Sequence, residues 1–366
     1  MNKFAFIIHP IEIADIYRKF PLLEKLPVNL VEKTFKYLPP MKVSVIEGVK
    51  SPWGEVQGFF IACPLTTRQL LTLPEEVSIK KIIEAVKVAE KLGAQVVGLG
   101  AMTSVVGDGG ITIAKNSNIP VTTGNSYTVA SAIDATLKAA ALMDIDISNA
   151  NVAVLGATGS VGSVVARLIA RKCKSLMLVA RNNERLSKLA RIVMYESGIA
   201  LEVSCESRKV LCKADIIISV TSSMDTVINP EDLKPGAVVC DVARPRDVSL
   251  AVQKLRKDVL VIEGGVIKVP GPVNFNFNFG FPPGLAYACM AETMILALES
   301  KWECFSLGRE LSIAGVEEIK TLATKHNFQL AGMRSFEKTL TNGQISRIKN
   351  EVIMKREKEY NIVASI

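Results

Sequence analysis

Val152 to Leu155 form an unbroken apolar run, and short apolar runs of the same kind return at residues 176–179, 216–220, 238–241 and 259–262. Such runs mark parallel strands covered on both faces. Helical patterns over residues 163–171 and 184–197 separate the first of them. Strands alternating with helices predict an α/β fold with a doubly wound parallel sheet of the Rossmann type.

The pattern upstream is different. Residues 1–75 alternate short apolar runs with Pro and Gly breaks. Lys42-Val43-Ser44-Val45-Ile46 and Gly58-Phe59-Phe60-Ile61-Ala62 flank Ser51-Pro52-Trp53-Gly54, which predicts strands of a small sheet. Ile79, Ile82, Ile83 and Val86 fall at helical spacing and predict a helix that stops at Gly93, followed by a buried strand over residues 95–100. An Ala- and Leu-rich helix is expected from just after Ser126 to Met143, leading into the second domain. Beyond Gly264-Gly265 the chain passes Val269-Pro270-Gly271-Pro272, an Asn/Phe run and Pro282-Pro283-Gly284, all poor helix material. A strongly apolar helix is expected over residues 285–298. The expected division is a second α/β substrate domain at 1–148, a dinucleotide-binding domain at 149–268, and a segment at 269–366 that packs back on the first domain. No internal repeat of solenoid period is present.

Composition narrows the class. At 366 residues the chain is long enough for two domains, and its 49% hydrophobic and 22% charged residues are those of a soluble globular protein. The seven cysteines lie without C-x-x-C pairs, and there are two histidines, His9 and His326. That pattern argues against a disulfide framework, a metal site or a Ser-His-Asp triad. No apolar run reaches membrane length, and the opening Met1-Asn2-Lys3-Phe4-Ala5-Phe6-Ile7-Ile8-His9-Pro10 stops too soon for a signal peptide, so a cytoplasmic location is expected. The net charge of +8 favours acidic partners. Part of that charge lies at residues 347–358 on an expected helix of mixed sign, a pattern that is usually a solvated face.

Gly156-Ala157-Thr158-Gly159-Ser160-Val161-Gly162 has G-x-x-G-x-x-G spacing between a strand and a helix. Gly156 permits the tight turn, Gly159 lets the backbone approach a pyrophosphate, and Gly162 lets helix and strand pack closely. The phosphates would rest on the helix N-terminus, with Thr158, Ser160 and Ser163 as added hydroxyl donors. A carboxylate at the end of the next strand would bind the ribose hydroxyl of NAD, whereas arginine suits the extra phosphate of NADP. Here the strand leads to Ala180-Arg181-Asn182, with no carboxylate before Glu184, so NADPH is the expected cofactor. Val161, Asn182, Thr221, Gly264 and Gly265 complete the expected cofactor residues, the last three at the carboxyl edge of the sheet.

Cys289 follows Pro282-Pro283-Gly284 closely enough to lie in the first turn of its helix. Unpaired N–H groups there stabilise a thiolate and lower its pKa. Such a thiolate attacks a thioester to give an acyl-enzyme, which hydride from NADPH reduces to an aldehyde. A cysteine in an apolar helix is equally well simple packing. No Tyr-x-x-x-Lys pair follows the glycine motif, and no histidine neighbours Cys289 in sequence, although His9 or His326 could approach it in space.

In Gly100-Ala101-Met102-Thr103-Ser104, Thr123-Gly124-Asn125-Ser126, Val154 to Ser163, Ala180-Arg181-Asn182-Asn183-Glu184-Arg185-Leu186, Gly264-Gly265-Val266 and Tyr287-Ala288-Cys289-Met290-Ala291-Glu292-Thr293-Met294, the chain resembles the long-chain acyl-(acyl carrier protein) reductases. The resemblance implies that Cys289 is the acylated residue, that the glycine loop binds NADPH, and that a fatty acyl thioester is reduced to the aldehyde. Thr103, Ser104, Asn125 and Ser126, within those stretches, are the candidate substrate residues. The basic balance suits acyl carrier protein or coenzyme A as the carrier, without nucleic acid, and homo-oligomerisation stays open. Residues 269–281 and the tail beyond Gly332 do not match the family. The alternatives are an alcohol or cyclic-amine dehydrogenase of the shikimate or methylene-tetrahydropterin kind, and a nucleotide-binding module without chemistry.

Overall fold

The computed structural model describes the backbone of residues 1–223 and 225–364, and their side chains except Lys19 and residues 358–364. The chain forms two units, Met1–Thr128 with Val266–Leu330, and Val129–Gly265 with Ala331–Ile366. Among the described residues no helix is long and apolar enough to cross a membrane.

The first unit opens with β1 (Asn2–Ile8), whose Phe4, Ala5, Phe6 and Ile7 are all buried. Two short helices, α1 (Ile13–Lys19) and α2 (Val28–Tyr37), precede the hairpin of β2 (Met41–Ser51) and β3 (Gly54–Ala62). After α3 (Thr67–Thr72) comes α4 (Glu75–Lys91), which has Glu75 and Glu76 in its first turn and Lys91 in its last, matching the helix dipole. Its Ile82, Ala85, Val86 and Ala89 form the buried stripe. Then follow β4 (Val96–Leu99), α5 (Ile111–Lys115) and β5 (Val121–Thr122). The sheet order is β2-β3-β1-β4-β5, antiparallel only between β2 and β3.

Helix α6 (Asn125–Leu142) begins in this unit and continues into the second. There the chain alternates β6 (Asn151–Leu155), α7 (Ser160–Ile169), β7 (Ser175–Val179), α8 (Asn183–Ser197), β8 (Leu201–Ser204), α9 (Ser207–Leu211), β9 (Ile216–Ser219), β10 (Val238–Asp241), α10 (Leu250–Leu255) and β11 (Leu260–Glu263). All six strands run parallel in the order β11-β10-β9-β6-β7-β8. This is the doubly wound nucleotide-binding sheet, and its strand order reverses between β6 and β9.

The chain returns to the first unit through β12 (Val266–Lys268), β13 (Leu285–Tyr287), α11 (Ala288–Leu298), α12 (Ile313–Lys325) and β14 (Gln329–Leu330). Helix α11 packs on β1 and β4, and every residue from Met290 to Ala297 is buried. The chain ends in the second unit with the ribbon of β15 (Arg334–Ser335) and β16 (Lys338–Thr339) and with α13 (Asn342–Ala364).

Several expectations need correction. The small sheet expected over residues 1–75 is interrupted by α1 and α2, short helices hidden among Pro and Gly breaks. The apolar helix starts at Ala288 rather than 285, because Leu285–Tyr287 pairs antiparallel with Val266–Lys268, a partner remote in sequence. An additional strand, β8, lies at the sheet edge with Glu202 and Val203 exposed, so it lacks the apolar run that reveals the others. The units change at Thr128 and Gly265 rather than at 148 and 268, and the tail beyond Leu330 joins the nucleotide-binding unit instead of the first domain. Arg334, about 2% exposed, lies 3.5 Å from the Glu263 carboxylate at the end of β11, and Lys355 of α13 reaches Asp258 at 2.9 Å. The expected mixed-charge helix at 347–358 is part of α13, and the side chain of Lys358 lies outside the described residues.

Candidate active site

In the second unit β6 runs straight into the glycine loop. Gly156 turns at φ +76, and the space a side chain would need is filled by the Val220 carbonyl at 2.8 Å and the Thr221 backbone at 3.0 Å. A Cβ on Gly162 would stand 2.2 Å from the Gly156 carbonyl oxygen, so loop and α7 touch backbone to backbone. Gly159 differs: it is exposed, a Cβ there meets only the Gly156 oxygen at 3.3 Å, and as N-cap of α7 it offers no side-chain acceptor to the helix amides. The first amides of α7 therefore face an open backbone surface suited to phosphate oxygens. Thr158, Ser160 and Val161 are half-buried on this loop.

At the end of β7, Arg181 is exposed and the Asn182 side chain caps α8 by accepting the Arg185 N–H at 2.9 Å. Between Val179 and Glu184 there is no carboxylate. An open glycine, an exposed arginine and no acid at this strand end fit NADPH. The Thr221 hydroxyl donates to Asp247 at 2.6 Å, so this expected cofactor residue is held by a carboxylate of its own unit. Gly264 abuts the Cys240 sulfur and Val242, and Gly265, at φ +76, is the last residue before the chain returns to the first unit.

Cys289 is the second residue of α11, in the first turn as expected, and is half-buried. Backbone N–H groups of Met290, of Cys289 itself and of Ala101 favour its thiolate. Yet burial outweighs these donors, and with the nearby Glu292 carboxylate it pushes the thiol up to about 12. The expected lowering by the helix terminus is thus overturned at rest, since withdrawal from water penalises the thiolate more than three amides favour it. Glycine at 124 is obligatory beneath this residue: it lies at φ +72, and a Cβ there would stand 2.2 Å from the Cys289 Cα.

Glu292, one turn beyond Cys289, is fully buried and ties the surrounding loops together. It accepts from the Thr122 hydroxyl, from the Ser306 hydroxyl at 2.7 Å and from the Tyr127 N–H at 2.8 Å. Burial raises its pKa despite these donors. Of the expected substrate residues, Ser126 donates its hydroxyl to the Ser306 oxygen at 2.7 Å, since the Ser306 proton is given to Glu292, and Asn125 opens α6 next to Gly124. Thr103 and Ser104 turn inward, their hydroxyls donating to the Gly100 and Ala101 carbonyls at 2.7 Å each. His326 is held by Ser51 at 2.8 Å and by Glu299, while His9 contacts Met102 and Pro10.

Residues 138–263 match the shikimate / quinate 5-dehydrogenase family. Over 365 residues the chain is 31% identical to the aminotransferase PigE of Serratia sp., covering 95% of this chain and 42% of that protein. It is 29% identical over 306 residues to the long-chain acyl-[acyl-carrier-protein] reductase of Synechococcus elongatus, covering 80% of this chain and 87% of that one. A third relative is the glutamyl-tRNA reductase of Cyanophora paradoxa, 28% identical over 174 residues, which are 46% of this chain and 40% of that one. The chain thus spans less than half the length of PigE.

Glu292 and two acids, Asp241 at the end of β10 and Asp247 beyond it, were not anticipated as site residues. Asp241 and Asp247 are buried, and the peptide between Arg244 and Pro245 is cis. Asp241 accepts the Ala243 and Val248 N–H groups at 3.1 Å each, and burial raises it to about 6. Asp247 accepts from Ser219 and Thr221, which fastens this loop to the end of β9. The one sequence signal was Asp-Val-Ala-Arg-Pro-Arg-Asp, two acids spaced around a proline turn.

Proposed function

We propose that this chain is an NADPH-dependent reductase that converts a fatty acyl thioester to the aldehyde through a Cys289 acyl-enzyme. The observation that carries the reading is the place of Cys289, the second residue of α11 in its first turn, set closely against Gly124. The similarity over 80% of the chain to an acyl-(acyl carrier protein) reductase supports it. Cys289 loses its proton and its sulfur bonds to the thioester carbonyl carbon; the carrier leaves as its thiolate, which takes up a proton. The amides of Met290 and Ala101 stabilise the negative charge on the way. NADPH, when bound, supplies the hydride that reduces the acyl carbon, and the Cys289 thiolate departs and is reprotonated as the aldehyde forms. The glycine loop and Arg181 hold the cofactor, and Thr103, Ser104, Asn125 and Ser126 shape the surroundings of the sulfur. The net charge of +8 suits acyl carrier protein or coenzyme A, both acidic, as the carrier.

The test is intact-protein mass spectrometry after incubation with a long-chain acyl thioester and no NADPH. A single acyl adduct that maps to Cys289, disappears in Cys289→Ala and is discharged as aldehyde on adding NADPH is the expected result. An adduct that persists in Cys289→Ala refutes the assignment. The thiol held at about 12 favours a second reading, a dehydrogenase of the shikimate type with no covalent step. Full NADPH oxidation by Cys289→Ala on a ketone substrate would select it.

A further inference from the structure

The parallel sheet of the second unit reverses its strand order between β6 and β9. A dinucleotide lies in the crevice that opens at such a reversal, beyond the carboxyl ends of the strands. Two backbone segments border it here: the Gly156 turn after β6 and residues 220–223 after β9. They touch, since a Cβ placed on Gly156 would stand 2.8 Å from the Val220 carbonyl oxygen and 3.0 Å from the Thr221 N and Cα. The half of the sheet from β6 to β8 carries Arg181 and takes the adenosine side of the cofactor, so β9 begins the half that faces the nicotinamide nucleotide.

One side chain ties the segment after β9 down. Asp247, fully buried in the connection between β10 and α10, accepts the Ser219 hydroxyl at 2.6 Å and the Thr221 N–H at 3.2 Å on Oδ2, and the Thr221 hydroxyl at 2.6 Å on Oδ1. Its backbone carbonyl accepts the Val227 and Ile228 N–H groups at 2.9 and 3.1 Å, so the same residue also fastens the far end of this stretch. A carboxylate only accepts, so the Thr221 hydroxyl proton is committed to it, and the Ser223 N–H takes one of the two Thr221 oxygen lone pairs at 3.1 Å. The lone pair that remains makes Thr221 an acceptor toward a ligand. A phosphate oxygen, itself an acceptor, gains nothing at that position, whereas a ribose hydroxyl or a carboxamide NH2 does.

We infer that Asp247 is a positioning residue for the nicotinamide half of NADPH: it holds residues 219–221 against the Gly156 turn and makes the Thr221 oxygen an acceptor for a hydroxyl or amide donor of the nicotinamide riboside. The inference rests on NADPH as the cofactor of this unit and is independent of the acyl chemistry at Cys289.

The test is titration calorimetry of the full chain with NADPH and with 2′,5′-ADP, which has the adenosine half and its phosphates but no nicotinamide. Asp247→Asn keeps an acceptor oxygen for the Ser219 hydroxyl and the Thr221 N–H, but turns an NH2 toward the Thr221 oxygen and takes its open lone pair. It is expected to melt close to the parent temperature, to bind NADPH about tenfold more weakly, the effect of one lost hydrogen bond and one misdirected group, and to bind 2′,5′-ADP within about twofold of the parent. Thr221→Val, which removes the hydroxyl and keeps the N–H bond, is expected to show the same split between the two ligands. If Asp247→Asn does not fold, Thr221→Val decides alone. Parental NADPH affinity in either folded variant would overturn the inference, as would an equal weakening of both ligands, the result of a merely structural role. A parent protein that binds neither ligand would overturn it together with the cofactor reading. NADPH binding with the expected split but no acyl adduct on Cys289 would refute the acyl-transfer reading alone.

Discussion

A methyl group added at Gly124 tests the support beneath Cys289. The new Cβ would lie 2.2 Å from the Cys289 Cα and 2.3 Å from its Cβ. Carbon contacts relax at about 3.5 Å, so the turn and the start of α11 would have to part by roughly 1.3 Å. Neither side yields easily: Gly124 N–H donates to Thr122 at 3.2 Å, the Tyr127 N–H is anchored on Glu292, and α11 is buried from Met290 onward. Gly93, in the same unit, supplies the control, because it lies at φ +80 with no atom within 4 Å of an added Cβ. Gly93→Ala should incur only the left-handed backbone cost, about 1–2 kcal/mol. Gly124→Ala should add overpacking of about 1–3 kcal/mol, for a total of about 2–5 kcal/mol. Urea unfolding of both variants measures the difference. Cys289 alkylation reports whether the sulfur has moved from its amides, and a displacement of this size is expected to slow it by about tenfold or more. If Gly124→Ala is no less stable than Gly93→Ala and its Cys289 reacts at the parental rate, the packing argument is wrong.

Further outcomes follow from the same structure. Gly159→Ala, with a single contact at 3.3 Å, should keep stability within about 0.5 kcal/mol and weaken NADPH binding by about tenfold or more by calorimetry. Gly162→Ala, 2.2 Å from the Gly156 oxygen, should lose about 1–3 kcal/mol of stability as well; unchanged NADPH affinity in Gly159→Ala would remove the phosphate from that glycine. Because burial raises the Cys289 thiol to about 12, its alkylation should still be rising at pH 10, where an ordinary thiol of pKa about 8.5 has levelled off. The same shift favours the folded state fully below about pH 8.5, and that contribution is lost as pH climbs toward 12; a plateau below pH 9 would contradict it. Arg334→Met should take one of two guanidiniums from the buried Glu263 carboxylate, with Arg246 remaining at 3.3 Å, and cost about 1–3 kcal/mol in urea unfolding. Adding Glu263→Gln should recover part of that loss, and a double variant at the full sum of both single losses would exclude the coupling.

The nucleotide-binding unit was legible in the chain because its determinants are local. Apolar runs such as Val152 to Leu155 report burial on two faces, and Gly156, Gly159 and Gly162 report a turn that has to meet a helix at backbone distance. The first-turn position of Cys289 was legible for the same reason, from the Pro-Pro-Gly break before it. What the local pattern could not carry was the environment. The thiol was expected low from its helix end and is high, because its burial is set by the turn at residue 101, by Gly124 and by the sheet under α11. The partners His9 and Met102 are 93 residues apart, and Asp247 meets Thr221 across 26. Strand β13 is a strand because Val266–Lys268 lies beside it, and the tail belongs to the nucleotide-binding unit because Glu263 receives Arg334 and Asp258 receives Lys355. Chain order alone determined where the glycine turn lies and that Cys289 falls in the first turn of a helix. Folding decided their charge states and their neighbours, since desolvation and hydrogen bonding depend on distance in space and residue spacing carries no record of it.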